Sequence, residues 1–309
     1  MRLVLAGATG FLGRPLADAL ARDGDTVVVL TRRPGRVASL KGAGAIREVA
    51  WTPDGSAGAW ASEVNDADAV VNLAGESIAG RRWNAAHKAR IRESRVLATR
   101  SIVAAIAQAA RPPAVLINGS ASGFYGPLGD EVVTEEAPVG RDFLARTCLE
   151  WETEALAAES ARTRVVRIRP GLVLERDGGS LAQMLPPFKF GLGGPVGSGR
   201  QYWPWIHRQD WIDLVRFSIQ TPGATGPLNA SAPNPTTNSE FTRALGRAIH
   251  RPAFLPAPGF ALKIAFGEMA DALLLSGQRM VPAKAERLGF TFTYPQIDQA
   301  LEAIFQKTR

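Results

Sequence analysis

The chain has little cysteine and no long hydrophobic run, and each shortage argues against a class of protein. Its 309 residues include one cysteine, Cys148, so no disulfide can form within the chain, as is typical of a reducing compartment. No apolar run approaches the ~20 residues that a membrane-spanning helix needs. The first residues also lack the basic and then apolar layout of a secretory signal peptide. We therefore expect a cytoplasmic protein with no membrane partner.

Basic residues are in excess, but they are not concentrated in a nucleic-acid-binding pattern. The formal net charge is +7, with local basic groups at Arg32-Arg33, Arg81-Arg82 and Lys88–Arg95. No basic repeat interleaved with aromatics, no zinc motif and no RNA-recognition motif accompanies them. A positive field also suits a polyphosphate cofactor and an anionic substrate. We expect no nucleic-acid partner and no metal site.

The first thirteen residues carry the most informative pattern in the chain. Leu3–Ala6 is a short apolar run typical of a buried strand, three glycines follow, and Phe11–Leu20 has the apolar spacing of a helix. A strand that leads through a glycine-rich turn into a helix is the dinucleotide-binding unit. Gly7 permits the tight turn, Gly10 lets the backbone approach a pyrophosphate, and Gly13 lets the helix pack against the strand.

The end of the second predicted strand indicates which dinucleotide binds. In NAD-binding units this strand ends in Asp or Glu, which binds the ribose hydroxyls. Here it ends in Thr31-Arg32-Arg33, without an acid. A carboxylate would repel a 2′-phosphate, whereas a hydroxyl and two guanidinium groups bind it through charge-assisted hydrogen bonds. The sequence favours NADP(H), and a solvated basic turn without a ligand is the alternative.

Strand and helix signals alternate through the first half, as a parallel sheet with crossover helices requires. Strands are predicted at Leu3–Ala6, Thr26–Leu30, Ile46–Trp51, Asp68–Leu73, Ala114–Asn118 and Arg164–Arg169. Longer helices are predicted at Asn84–Ala110 and Arg141–Glu159. The fold class is therefore α/β, with a Rossmann-type doubly wound parallel sheet over residues 1–170.

The second half of the chain is richer in glycine and proline. Gly178–Gly199 and Thr221–Thr237 are predicted to be long loops, and a strand-like segment is predicted at Pro252. Short helices are predicted at Leu181–Phe188, Phe260–Leu275 and Gln296–Gln306. Loops of this length in a compact protein are usually functional. We expect residues 171–309 to form a substrate loop and a smaller, mainly helical C-terminal domain, with 205–232 returning to the sheet.

Short motifs throughout the chain resemble one protein family. They are Asn72-Leu-Ala-Gly-Glu76, Arg82-Trp83, Ser94-Arg95, Trp151-Glu152, Gly191-Leu-Gly-Gly-Pro-Val-Gly-Ser-Gly199, Trp205-Ile-His207 and Leu275-Ser-Gly-Gln278-Arg279. Together they resemble the extended or atypical short-chain dehydrogenases/reductases grouped with the NAD-dependent epimerase/dehydratases. Within that group the chain is similar to the epimerase-like subfamily that carries a short C-terminal domain of unknown function. The resemblance covers nearly the whole chain.

The resemblance implies a set of cofactor-binding residues. In chain order they are Gly7, Thr9, Gly10, Phe11, Leu12, Gly13, Thr31, Arg32, Arg33, Leu73, Ala74, Gly75, Glu76, Pro170 and Gly171. The first six would cradle the pyrophosphate, and the next three would bind the 2′-phosphate. The following four would line the adenosine and ribose, and the last two would lie by the nicotinamide. Trp205–Asp210 matches a segment that re-enters the core, and simple packing of Trp205 and His207 is the alternative to a role in the site.

The catalytic pair of that family is missing. These reductases use a Tyr followed four residues later by a Lys, which lowers the Tyr pKa so that the phenol can transfer a proton. Phe143 stands where the Tyr is expected, and Thr147 where the Lys is expected. Tyr125 matches an earlier tyrosine of the extended members, but Gly129 stands four residues later. We therefore expect the pKa of Tyr125 to stay near its usual value of ~10.

Three hydroxyl side chains are left as candidate catalytic groups, namely Ser120, Ser122 and Tyr125. The resemblance implies an NADP(H)-binding oxidoreductase or epimerase-like enzyme that acts on a small-molecule substrate. The alternatives are a non-catalytic NADP(H)-responsive regulatory or interaction protein, and a structural dimer in which the nucleotide only stabilises the fold. Because Asn84–Ala110 has apolar positions on more than one face, we expect it to pack against its counterpart in a homodimer.

Overall fold

The computed structural model describes residues 1–35 and 44–306. Its strands are β1 (Arg2–Ala6), β2 (Thr26–Thr31), β3 (Ala45–Ala50), β4 (Ala69–Asn72), β5 (Val115–Gly119), β6 (Val132–Val133), β7 (Arg164–Pro170), β8 (Leu172–Leu174), β9 (Trp205–His207), β10 (Gly226–Ala230) and β11 (Arg279–Met280). Its α-helices are α1 (Gly13–Arg22), α2 (Ala85–Gln108), α3 (Phe143–Leu156), α4 (Gly179–Lys189), α5 (Arg208–Gln220), α6 (Asn238–Ala248), α7 (Gly259–Phe266), α8 (Glu268–Leu273), α9 (Ala283–Arg287) and α10 (Ile297–Phe305).

A seven-stranded parallel sheet forms the centre of the molecule, with strand order β10-β7-β5-β4-β1-β2-β3. Alternate residues of β1 serve opposite faces, as the two-residue period of a strand requires. Leu3 and Leu5 pack with α1 and α5, whereas Val4 and Ala6 pack with α2 and α3. Helices on both faces bury the central strands completely, which explains their continuous apolar runs. The predicted doubly wound fold is confirmed.

The longest helix begins and ends where its sequence indicates. The side chain of Asn84 accepts a hydrogen bond from the backbone N–H of His87 at 2.8 Å and so caps the first turn of α2. Arg111-Pro-Pro follows the last turn, because proline cannot continue a helix. The exposed face of α2 carries arginines, two of which form ion pairs with α3, Arg92 with Glu150 and Arg100 with Glu154.

Two predictions for the second half are wrong. The strand β10 lies inside the predicted loop Thr221–Thr237 and pairs with β7 at the edge of the sheet. An edge strand tolerates the Gly226-Pro227 start because one side of its ladder needs no partner. The strand-like segment predicted at Pro252 is not a strand, since Ala257 makes only a single bridge, to Val196.

The C-terminal part has its own hydrophobic cluster, formed largely by α4, α6 and α10 around Trp203 and Trp205. The helix α7 contributes no buried side chain to it. Of the helices that the structure describes, none is long and apolar enough to cross a membrane.

Candidate functional site

The glycine-rich turn after β1 uses its three glycines for different purposes. Gly7 has φ of +84°, and a Cβ on it would lie 2.7 Å from the carbonyl carbon of Leu73. A Cβ on Gly13 would collide with the carbonyl oxygen of Gly7, so this glycine lets α1 approach the turn. A Cβ on Gly10 would meet only that same oxygen, at 3.3 Å. The fold therefore requires Gly7 and Gly13, whereas Gly10 leaves room beside the turn for a ligand.

A cleft of about 560 Å³ lies over this turn, at the carboxyl ends of β1, β2 and β4. Its lining residues are Gly7, Thr9, Gly10, Leu30, Thr31, Arg32, Arg33, Trp51, Pro53, Leu73, Ala74, Gly75, Glu76 and Ser94. The carboxyl edge of a parallel sheet, where the strand order reverses, is where such folds bind ligands. The sheet thus brings together three groups of residues that are far apart in the sequence.

The corner of the cleft after β2 is basic. Thr31 is buried, and its hydroxyl oxygen accepts a hydrogen bond from the backbone N–H of Arg33 at 3.2 Å, which shapes the turn. The side chains of Arg32 and Arg33 are exposed, and neither forms an ion pair with the residues that the structure describes. Trp51, which no sequence motif indicates, lines this corner and packs edge-on against Trp60.

Buried amides hold the turn after β4 in place. The side-chain N–H groups of Asn72 donate to the hydroxyl of Thr99 at 2.9 Å and to the side-chain oxygen of Asn118 at 2.8 Å. The side-chain oxygen of Asn72 in turn accepts from the backbone N–H of Ala74 at 3.2 Å. Further along, the backbone N–H of Glu76 donates to the hydroxyl of Ser94 at 2.9 Å. These bonds fix the wall of the cleft formed by residues 73–76.

Phe11 and Leu12 point away from the cleft lining. The ring of Phe11 lies against Gly178 and Gly179 at the start of α4, and the guanidinium of Arg208 lies 5.4 Å from its centroid. Leu12 packs against the hydrophobic core at the N-terminus of α1. Phe11 therefore links the glycine-rich turn to the segment that follows β8.

Ser120 and Tyr125, two of the candidate catalytic residues, belong to one buried polar network. The hydroxyl of Ser120 donates to the carboxylate of Glu152 at 2.6 Å. Glu152 also accepts two hydrogen bonds from Arg169, at 2.7 and 2.8 Å. Arg169 donates to the hydroxyl of Tyr125 at 2.9 Å, and that hydroxyl donates to the side chain of Asn229 at 2.6 Å. Glu152 and Tyr125 are each 1% exposed, so the network is sealed from water.

Burial makes Tyr125 and Cys148, two ionisable side chains in this region, weak proton donors. Burial raises the pKa of Tyr125 to about 12, although Arg169 acts in the opposite direction. The pKa expected from the sequence, near 10, is therefore wrong, because it took no account of burial. Burial also raises the pKa of the Cys148 thiol to about 12, and the charge of Glu152 adds to this. At neutral pH both side chains keep their protons.

The position of the missing catalytic pair is filled by hydrophobic and structural contacts. Phe143 is the first residue of α3 and packs edge-on against Trp83, with ring centroids 5.3 Å apart. Thr147 is buried and donates its hydroxyl hydrogen to the carbonyl of Phe143 at 2.8 Å. The ammonium of Lys88 lies 5.0 Å from the Phe143 ring centroid and forms an ion pair with Glu268. No phenol and ammonium stand together at this position.

Ser122, Pro170 and Gly171 lie close to this region of the sheet. Ser122 starts a short 3-10 turn after β5 and is half-buried, and its hydroxyl makes no hydrogen bond with the described residues. Pro170 ends β7, and the backbone N–H of Gly171 donates to the carbonyl of Ala230 at 3.1 Å. A Cβ on Gly171 would collide with the carbonyl oxygen of Pro204, so glycine allows β8 and β9 to pair.

Trp205 and His207 have structural contacts. The indole N–H of Trp205 donates to the hydroxyl of Thr236 at 3.0 Å within the core. The Nδ1 of His207 accepts from the backbone N–H of Gln209 at 3.0 Å, which caps α5. Burial, together with the charge of Arg208, lowers the pKa of His207 to about 4, so its imidazole is neutral at pH 7. Packing, the alternative left open for both residues, accounts for these contacts.

Comparisons with known proteins agree with the fold. Residues 3–230 match the NAD dependent epimerase/dehydratase family, and residues 257–304 match a domain of unknown function (DUF1731). The chain is 42% identical to epimerase family protein Mb2239 of Mycobacterium bovis, over 97% of this chain and 96% of that protein. It is 38% identical to epimerase family protein SDR39U1 of Bos taurus, over 98% and 99% of the two chains.

A solved structure matches over nearly the full length. The crystal structure of human epimerase family protein SDR39U1 (isoform 2) with NADPH superimposes with a TM-score of 0.89 at 33% sequence identity. The match covers 98% of this chain and 99% of that one. With the parallel sheet, the glycine-rich turn and the C-terminal match in place, the chain belongs to the NAD-dependent epimerase/dehydratase family, in the group that carries DUF1731.

Proposed function

We propose that this protein binds NADP(H) and acts on a small metabolite as an oxidoreductase or epimerase-like enzyme that lacks the Tyr–Lys pair. The observation that carries the proposal is the cleft itself, where an open glycine turn faces a basic corner, Thr31-Arg32-Arg33, in place of the usual acid at the end of β2. Exposed guanidinium groups beside a buried hydroxyl match the shape and charge of a ribose 2′-phosphate. The NADPH present in the human relative of the same family supports this choice.

The residues of the cleft fit the cofactor. The space at Gly10 would admit the pyrophosphate to the N-terminus of α1, with Gly7, Thr9 and Gly13 shaping the turn and Phe11 and Leu12 anchoring it. Thr31, Arg32 and Arg33 would hold the 2′-phosphate. Leu73, Ala74, Gly75 and Glu76 would line the adenosine and ribose, and Pro170-Gly171 would border the nicotinamide. When bound, NADPH supplies a hydride, and the chain's own residues would bind and orient both reactants.

The domain arrangement follows from the same proposal. Residues 1–170 would form the NADP(H)-binding domain, and 205–232 would return to it, which the pairing of β10 with β7 supports. Residues 171–309 would form the substrate loop and the small C-terminal domain, whose separate hydrophobic cluster supports this division.

We also propose a homodimer that uses α2 and α3, where Leu149 and Leu156 are exposed beside the interhelical ion pairs.

Proton transfer would fall to a group other than the absent pair. Ser122 is the candidate hydroxyl that remains available, because those of Ser120 and Tyr125 are engaged in the buried network. A serine positions a carbonyl oxygen by hydrogen bonding and passes a proton only through a partner or water. A reaction that relies on such positioning would be slower than one with a dedicated acid.

The enzyme and non-catalytic alternatives differ in one measurable property. Purified protein with NADPH would be offered a panel of aldehydes and ketones, with net reduction followed by nicotinamide absorbance. Protein with NADP⁺ would be offered sugar derivatives, with epimers separated by chromatography, because epimerisation leaves that absorbance unchanged. Turnover that Ser122→Ala reduces would support the enzyme. The buried network favours the alternative of an NADP(H)-responsive interaction protein, which predicts no turnover and partner capture that depends on NADPH.

A further inference from the structure

Arg95, directly behind the lining residues Gly75 and Glu76 of the cleft, forms no ion pair with the residues that the structure describes. Arg95 lies on α2 behind the turn after β4, and its Nη1 donates to the carbonyl of Glu76 at 3.0 Å and to the carbonyl of Ile91 at 2.8 Å. A Cβ on Gly75 would lie 3.2 Å from the guanidinium carbon of Arg95. Glycine at this position therefore gives the guanidinium its place directly behind the cleft lining.

The charge of Arg95 is not neutralised within the described chain. Arg92 and Arg100, on the same helix, form ion pairs with Glu150 and Glu154, whereas Arg95 forms none and packs its guanidinium 5.3 Å from the ring centroid of Trp151. Burial lowers the pKa of Arg95, and the negative charge of Glu76, which forms no ion pair with it, acts in the opposite direction. A half-buried cation without a counter-ion is costly unless a ligand supplies the negative charge.

Two nitrogen atoms of the Arg95 guanidinium, Nε and Nη2, donate no hydrogen bond to the described residues. Both hydrogens of Nη1 are used on carbonyl groups, which leaves Nε and Nη2 without an acceptor among the described residues. Neither atom is among the buried side-chain nitrogens that lack a partner, unlike Nε of Arg167 and Arg279. These two atoms are therefore not completely buried, and the neighbours of the side chain, Gly75, Glu76 and Ser94, line the cleft.

We propose that Arg95 binds an oxyanion, a phosphate or a carboxylate, of the ligand that occupies the cleft. The edge of a guanidinium that presents Nε and Nη2 matches two oxygens of such a group. The guanidinium is already held by the Trp151 ring and by its hydrogen bonds to the carbonyl groups of Glu76 and Ile91. Because a guanidinium keeps its proton, Arg95 would act as a fixed positive charge and not as an acid. This inference rests on the proposed function, and the oxyanion belongs either to the dinucleotide or to the substrate.

Calorimetry on variants of two arginines of α2 tests the proposal. Arg95→Gln removes the charge behind the cleft, and Arg92→Gln removes an equal charge from the exposed face as a control. Each protein would be titrated with NADPH and, when saturated with NADP⁺, with inorganic phosphate and with a small 2-oxo carboxylate. We expect Arg95→Gln to lose at least about tenfold in affinity for one of these ligands, as a charged hydrogen bond implies, and Arg92→Gln to lose none.

The pattern of loss identifies the source of the oxyanion. A loss for NADPH alone assigns Arg95 to the cofactor phosphates, and a loss for phosphate or carboxylate with NADPH unchanged assigns it to the substrate. If Arg95→Gln does not fold, Arg95→Lys keeps the charge but lacks the planar fork, and a several-fold loss for one ligand is expected. Wild-type affinity for all ligands in the folded variants would overturn the inference. Absence of NADPH binding to the wild type would instead overturn the proposed function, and phosphate titrations would still test Arg95.

Discussion

The two halves of the carboxyl edge of the sheet treat their polar groups in opposite ways. At the ends of β1 and β2, Arg32 and Arg33 are exposed and form no ion pair within residues 1–35 and 44–306, and Gly10 leaves open space beside a helix N-terminus. At the ends of β5 and β7, Ser120 and Tyr125 are buried and hydrogen-bonded to other side chains. Free donors beside an open cleft are suited to a ligand, whereas donors that are bonded to each other stabilise the fold.

This difference means that the side chains available for ligand binding and the candidate catalytic hydroxyls lie in different parts of the sheet edge. The network around Glu152 continues through Asn229 to the backbone of Val281, so it joins the sheet to the C-terminal segment. A hydroxyl that serves such a junction cannot also serve a substrate without breaking a buried bond. We therefore expect the open half to bind the proposed cofactor, and we expect no proton transfer from the buried hydroxyls of Ser120 and Tyr125.

The largest expected effect on NADPH binding comes from filling the space beside Gly10 in the cleft. Gly10→Val would fill the space beside the turn, and several phosphate hydrogen bonds of ~1.5–3 kcal/mol each would be lost. NADPH affinity measured by calorimetry should fall at least about hundredfold, while circular dichroism shows a folded protein. Gly7→Val, at φ of +84°, should instead destabilise the fold. Micromolar NADPH binding by Gly10→Val would show that the turn is only structural.

Substitutions in the buried network around Glu152 should lower the free energy of unfolding. Glu152→Ala leaves Arg169 as an unpaired buried charge, a change that typically costs ~3–5 kcal/mol. Glu154→Ala, two residues along α3, breaks an exposed pair with Arg100, and solvent-screened pairs of this kind contribute little to stability. Urea unfolding of both variants gives the comparison directly. Equal free energies of unfolding would mean that the buried network is not what stabilises this half.

Tyr125→Phe removes only the hydroxyl of Tyr125, so it tests whether this group serves stability or catalysis. The substitution leaves Asn229 and Arg169 without their shared hydroxyl partner, so the free energy of unfolding should fall by ~1–3 kcal/mol. NADPH affinity should be unchanged, and any turnover should fall less than tenfold, against the ~10²–10⁴-fold typical of general acid–base catalysis. A thousandfold loss of turnover with unchanged NADPH affinity would restore a tyrosine mechanism.

His207 should show its effect as a pH dependence of stability, with little change near neutral pH. Its pKa is lowered to about 4 in the folded protein, against ~6.5 when unfolded, so the unfolded state takes up the proton first as the pH falls. Its contribution is therefore present above pH ~6.5 and is lost as the pH falls through about 4. His207→Asn keeps a cap for α5 without titrating. Unfolding measured at several pH values should show a flatter profile for the variant, and identical profiles would contradict this assignment.

The sequence predicts the elements whose signals are local. The strands β1, β2, β4 and β5 each contain a continuous apolar run, and the Asn84 cap and Arg111-Pro-Pro delimit α2 within one or two residues. The strand β10 was missed because Gly-Pro-Leu-Asn-Ala has one large apolar residue, and its pairing with β7 comes from tertiary structure. Similarly, local glycine spacing and the absent acid after β2 identify much of the cleft lining.

The fate of the candidate hydroxyls was not predictable from the sequence. Ser120 bonds to Glu152, 32 residues away, and Tyr125 bonds to Asn229, 104 residues away. No spacing rule connects such pairs, because they meet only when β5, β7 and β10 lie side by side. Arg95 was visible only as part of a motif, since its lack of an acidic partner is a property of the folded chain.

Titrating the wild-type protein with NADPH and with NADH in a calorimeter tests the central claim most directly. An exposed guanidinium and a hydroxyl that bind a phosphate contribute ~1.5–3 kcal/mol, so NADPH should bind about tenfold more tightly or better. Arg32→Glu should remove that preference, because a carboxylate repels the phosphate. A clear preference for NADPH that Arg32→Glu abolishes is the predicted result, and equal affinities in the wild type would contradict the account.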